Sequence, residues 1–131
     1  MTPTELSRLI QPIWDKRPEA RPHLRCLPLT LLDVTAIHDS KTVYSWYYHG
    51  GSHCDDQTAA ERIEFGVNMV LEAEAEKRGE HLVVEKDGDW FFIACGGDDD
   101  RPRAMDKNRL IAKIKLAYAL LGIAETEDMT K

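Results

Sequence analysis

No apolar run in this chain approaches the roughly 20 residues that carry a helix across a bilayer. The opening Met1-Thr2-Pro3-Thr4-Glu5 lacks the charged-then-apolar pattern of a secretory signal. A membrane protein or an exported one is therefore not expected. Cysteine is scarce, and Cys26, Cys54 and Cys95 lie far apart with no Cys-x-x-Cys. That spacing excludes a disulfide framework and a zinc ribbon, and it points to free thiols in a reducing, cytoplasmic compartment. Also lacking are an internal repeat, an interdomain linker, a Gly-x-Ser-x-Gly nucleophile elbow and the alternating oxygen ligands of a calcium loop.

What is present is the composition of a folded globular protein, 43% hydrophobic and 31% charged over 131 residues. A chain of this length supports one hydrophobic core, so a single domain over residues 1–124 is expected, with residues 125–131 fraying for want of anything to bury. The formal charge of −6 is unevenly spread. Residues 1–54 carry six basic against five acidic side chains, residues 55–100 four against fourteen, and residues 101–131 seven against four. The excess of acid belongs to the middle, where it can steer a basic partner and repel nucleic acid.

The spacing predicts three helices and two hairpins. Thr2-Pro3-Thr4-Glu5 is a capping box, followed by Leu6, Leu9, Ile10, Ile13 and Trp14 on one face, with Pro12 expected to kink or stop the helix. A strand is read over residues 29–37 and a second over Thr42–Tyr48. Thr58-Ala59-Ala60-Glu61 opens a central helix whose buried stripe is Ala59, Ile63, Gly66, Val67, Val70 and Ala73, closing at Gly79. His81–Lys86 and Asp89–Cys95 flank an Asp87-Gly88 turn, pairing Lys86 with Asp89, Val84 with Phe91 and Leu82 with Ile93. Asp106 is placed at the cap of a last helix ended by Gly122. The fold class expected is α+β, a two-layer sandwich in the order α-β-β-α-β-β-α with one antiparallel sheet of about four strands.

The densest run of reactive side chains is His49-Gly50-Gly51-Ser52-His53-Cys54-Asp55-Asp56, between a strand end and a helix start. Imidazole and carboxylate are zinc ligands, which makes His49, His53 and Asp55 a candidate metal set. Cys54 with His53 and His49 is a candidate thiolate nucleophile with its bases, near the positive end of the central helix. Against both, loop residues four apart need not converge, and Asp55 or Asp56 suits a helix cap. Tyr47-Tyr48-His49-Gly50-Gly51 is similar to the oxyanion segment of lipase-like α/β-hydrolases, but the missing elbow and the short chain exclude that fold.

Two candidate binding surfaces remain. Tyr44, Trp46 and Tyr48 with Trp90 and Phe92 would form a stacking platform if an open sheet face carried them. Asp98, Asp99 and Asp100 form an acidic loop. Arg101, Arg103, Lys107, Arg109, Lys113 and Lys115 share no single stripe and read as a solvated helix surface that neutralises part of the acidic middle. The function favoured is a non-enzymatic protein-binding or regulatory module presenting an acidic central surface, comparable to the small inhibitors and immunity partners of phages and mobile elements. Its expected partner is a protein, a second copy of the chain included, with no membrane and no nucleic acid. No cofactor is indicated. The alternatives are a small hydrolase or metal-dependent enzyme built on the His49–Asp56 loop, and single-strand nucleic-acid or ligand binding on the aromatic face.

Overall fold

The first helix, α1 (Pro3–Lys16), begins where the capping box places it, with the Thr2 hydroxyl accepting from the Glu5 amide at 3.2 Å. It runs through Pro12 to Lys16 rather than stopping. Leu6, Leu9, Ile10, Ile13 and Trp14 are all buried on both sides of the proline. Their removal from water, about 1.5–3 kcal/mol for each large side chain, offsets the backbone hydrogen bond that Pro12 forgoes. A short 3-10 turn, Pro18–Ala20, then leads into the sheet region.

In the computed structural model, residues 1–28, 37–38, 41–96 and 102–124 are described. The strand expected over residues 29–37 lies almost wholly outside them. The strand that is seen comes earlier, β1 (Leu24–Pro28). Next are the two-residue pair β2 (Ile37–His38) and β3 (Lys41–Thr42), then β4 (Tyr44–Tyr48) and β5 (His53–Cys54). β4 is the centre of a three-stranded antiparallel sheet, with Cys26 and Cys54 opposite Trp46 on its two sides. The helix α2 (Asp56–Lys77) follows. A second three-stranded antiparallel sheet is built from β6 (Leu82–Asp87), β7 (Trp90–Cys95) and β8 (Arg103–Asp106), and α3 (Arg109–Leu121) closes the described chain.

The α+β class holds, but the single four-stranded sheet and the α-β-β-α-β-β-α order do not. Both edges of β4 are taken by β1 and β5, so nothing of the second hairpin pairs with it. The 22 residues of α2 span roughly 33 Å and carry the chain to a separate sheet. That hairpin in turn gains β8 from residues that looked like a loop and a helix cap. Asp106 ends β8 and accepts from the Asn108 amide at 2.8 Å, while Asn108 is the true N-cap of α3.

The β6–β7 register also differs from the expected one. Asp87 pairs with Trp90, Lys86 with Phe91, Val84 with Ile93 and Leu82 with Cys95, so the two turn residues are Gly88 and Asp89. Gly88 takes φ 60°, which only a residue without a Cβ adopts without strain. The displacement moves each partner by two residues, so the same side chains still share a face. Ile93 and Cys95 are fully buried on it, Leu82 and Phe91 pack against the core, and Val84 stays exposed.

One connected core joins α1, both sheets, α2 and α3. α3 packs on α1, α2, β7 and β8, and the fully buried Tyr118 donates to the Leu9 carbonyl of α1 at 2.5 Å. Burial alone pushes the Tyr118 phenol above its ordinary value of 10. On α2 the buried set includes Leu71, Glu74 and Ala75, while Ala73 faces solvent, contrary to the expected stripe. Gly66 meets the backbone of the 3-10 turn so closely that a Cβ there would collide with the Ala20 carbonyl oxygen.

Two glutamates of the acidic middle are folded inward. Glu74, only 4% exposed, faces Arg17 at 3.3 Å, Arg78 at 3.6 Å and Lys77 at 3.7 Å. Glu64 binds Arg109 at 2.8 Å and the buried Lys113 at 2.6 Å. Burial raises the Glu64 pKa, but the hydrogen bonds and charges of Arg109 and Lys113 outweigh it and hold the carboxyl below its ordinary 4.5. The C-terminal cations therefore do neutralise part of the acidic segment, through specific pairs.

Two outcomes follow for stability. Gly66→Ala should gain about 1 kcal/mol of helix propensity yet lose more, on the order of 2–3 kcal/mol, by forcing α2 off the Ala20 carbonyl; urea unfolding should show a net fall in midpoint. Because the Glu64 pKa is lowered by folding, its contribution is present above pH 4.5 and is lost as pH falls below that value. Glu64→Gln should cost about 2 kcal/mol at neutral pH, less than for a fully buried pair because Arg109 remains half exposed, and should flatten the loss of stability below pH 4.5 in the same urea series.

Candidate functional site

The His49–Asp56 segment is a tight hairpin and a helix start rather than an open loop. The Tyr48 amide donates to the Ser52 carbonyl and the Gly51 amide to the Tyr48 carbonyl, both at 2.8 Å, with Gly51 at φ 98°. His53 and Cys54 then form β5. Neighbouring residues on a strand point to opposite faces, so these two side chains part. Cys54 enters the core at 1% exposure, beside Tyr48, while His53 sits on the outer face. There its Nε2 lies 2.7 Å from the Ser45 hydroxyl and its ring meets Tyr47 edge-on at 5.5 Å.

His49 goes elsewhere again. Its ring packs edge-on against His23 at 5.3 Å, and its amide donates to the His23 carbonyl at 3.2 Å. Partial desolvation and the charges of Arg25, His23 and Arg21 hold the His49 pKa below its ordinary 6.5. Asp55 is the N-cap of α2, one turn ahead of the Thr58 box expected, and its two oxygens accept from the Thr58 amide at 2.8 Å and hydroxyl at 2.9 Å. Those bonds lower its pKa below 3.8. The structure thus divides the expected metal set His49, His53 and Asp55, and the expected catalytic set Cys54, His53 and His49, among separate environments. Among the described residues no three His, Cys, Asp or Glu side chains are grouped to hold a metal ion.

The five aromatics do not make one platform. Trp46 is core at 2% exposure, Tyr44 is exposed, and Tyr48 is half-buried under the Arg62 guanidinium at 5.3 Å. Trp90 and Phe92 belong to the other sheet, on the face away from Ile93, where Phe92 is opposite Met105 and Lys107 approaches the Trp90 ring at 5.5 Å. Asp98, Asp99 and Asp100 lie outside the described residues, as does Arg101.

The feature that sequence reasoning missed lies where Gly66 brings α2 against the 3-10 turn. A groove of about 480 Å³ opens there, with Phe65 and Met69 on α2 facing Ala20 to His23. Phe65 is 68% exposed, the highest value among the large hydrophobic side chains of the described residues, and Met69 is 45% exposed. Arg62, one turn before Phe65, and Arg21 also line the groove. Arg21 lies over the Trp14 ring at 5.1 Å, as Arg62 lies over Tyr48. Glu19 and Glu61 line the groove as well, and His23, with the His49 ring against it, lies at the start of β1. The signal in the sequence was Phe65 and Met69 themselves, four apart and off the Ile63–Val67–Val70 stripe. No protein-family model, no curated protein and no solved structure matches this chain.

Thiol chemistry provides a direct check on the placement of the cysteines. Burial and the nearby Asp56 raise the pKa of the half-buried Cys26 above its ordinary 9.0, and Cys54 and Cys95 are buried. Titration of the native protein with a chromogenic disulfide at neutral pH should find at most slow reaction, at Cys26, and three thiols only after denaturation. Fast reaction at Cys54 in the native protein would revive the nucleophile.

Proposed function

We propose that this chain is a non-enzymatic protein-binding module that docks its partner through the α2 groove. The observation that carries the reading is the exposure of Phe65 and Met69 beside a groove with an apolar floor. Leaving a phenyl ring in water forgoes about 1.5–3 kcal/mol of burial, and an adjoining concave surface provides the place to recover it on association. Groups of the kind that perform catalysis are dispersed, which favours binding over turnover. The exposed acids Glu72, Glu76, Glu85, Asp87 and Asp89, on the later half of α2 and on the β6–β7 hairpin, keep the acidic surface expected from composition in the role of long-range steering. An inhibitor-type or immunity-type role, in which one small protein occupies the working surface of another, fits such a module.

Site-specific photocross-linking separates this reading from its alternatives. A benzophenone amino acid at position 65 should give a discrete protein adduct in cells. The same probe at the exposed position 72 should not, and the adduct should disappear when Met69→Ser is added. Equal labelling from both positions, or none from either, would refute docking at the groove.

A further inference from the structure

One face of the second sheet, that of Ile93 and Cys95, belongs to the core, and the opposite face meets solvent. On that outer face Trp90 is 39% and Met105 48% exposed, with the half-buried Phe92 beside both. Asp87 pairs with Trp90, whose ring the Lys107 ammonium approaches at 5.5 Å, and Glu85 pairs with Phe92, itself opposite Met105. The face therefore carries acids along its β6 edge, aromatic rings on the central β7 and a cation on its β8 edge. Among the described residues Glu85 and Asp87 have no ion pair and Lys107 has only the ring, while Arg103, on the same edge as Lys107, is already engaged. Within one sheet the acids and Lys107 stand two strand spacings apart, about 10 Å, with side chains directed outward; a second sheet packed about 10 Å above would bring such side chains together.

We propose that this face binds a second copy of the chain, sheet against sheet, with Asp87 of each copy paired to Lys107 of the other around a centre of Trp90 and Phe92. The order of charges selects this occupant and its orientation. A copy turned over about a two-fold axis along β7 lays its β6 edge on the β8 edge of the first, so each acidic edge meets a cation and each ring meets its counterpart. A copy turned over about an axis across the strands lays acidic edge on acidic edge. Only the first arrangement is self-complementary, and a two-fold pairing closes on itself without building a fibre. The surface is separate from the α2 groove. Three strands about 4.8 Å apart and some five residues long present on the order of 300 Å² per copy, against about 800 Å² in a standard interface, so the dimer belongs to the transient class.

The test is sedimentation equilibrium of the full chain from roughly 10 μM to roughly 1 mM at low salt, where a monomer–dimer equilibrium should appear within that range. Asp87→Lys alone and Lys107→Asp alone should each weaken it about tenfold or more, because each sets like charges against one another twice. Both changes in one chain should restore the dimer, and an equimolar mixture of the two single variants should form a heterodimer. Both positions are exposed, so the dilute variants should melt with the parent protein. Phe65→Ser should leave the equilibrium unchanged. A monomer throughout, self-association indifferent to both charge reversals, or a doubly changed chain that stays monomeric would overturn the proposal. So would self-association lost with Phe65→Ser, which would place the second copy at the α2 groove. If the charge swap restores pairing while cross-linking from position 65 fails, the docking reading falls and the dimer stands.

Discussion

Backbone meets backbone where Gly66 of α2 rests on the carbonyl of Ala20, and much of the molecule's organisation depends on that approach. A helix ordinarily keeps its neighbours at side-chain distance; a single missing Cβ removes that spacing. The 3-10 turn is thereby fixed against α2, and with it the start of β1 at the fully buried Leu24. β1 in turn aligns β4, whose Trp46 fills the centre of the first sheet between Cys26 and Cys54. The same contact borders the groove, whose lining includes Gly66 and Ala20 beside Phe65 and Met69.

The electrostatics follow a similar division between inside and outside. Glu64 and Glu74 look in sequence like members of a solvated acidic run, yet each is surrounded by cations drawn from distant parts of the chain. Partly buried carboxylates tolerate loss of water only when their oxygens are bonded, and Arg109, Lys113 and Arg17 do this, with Arg78 in ion-pair range of Glu74. Once these pairs form, the groove near the start of α2 is lined by two arginines, Arg21 and Arg62, and two glutamates, Glu19 and Glu61, while Glu72 and Glu76 stay exposed near its end.

Helices were legible because their signals are local. The Thr2 box, the Gly79 and Gly122 stops and the Leu6–Trp14 stripe all depend on residues within one or two turns. Short strands carry no comparable signal: β5 has two residues and β8 four, too few for alternation to show, and only pairing with β4 and β7 makes them strands. That is why one sheet was expected where there are two. The candidate residues were misjudged for the same reason. His53 and Cys54 look adjacent and cooperative in a loop, and assignment of that pair to a strand separates them. Phe65 and Met69 were visible as letters, but the groove beside them is formed with Ala20 to His23, more than forty residues away, which no local pattern encodes.

The hydrogen bond from Tyr118 to the Leu9 carbonyl joins residues 109 positions apart. On a ribosome adding about 5–20 residues each second, the first helix therefore waits several seconds for the side chain that completes its seat. Through that interval Leu9, Ile10 and Ile13 have no α3 to pack against, and the nascent chain's exposure to chaperones is set by the time needed to make its far end.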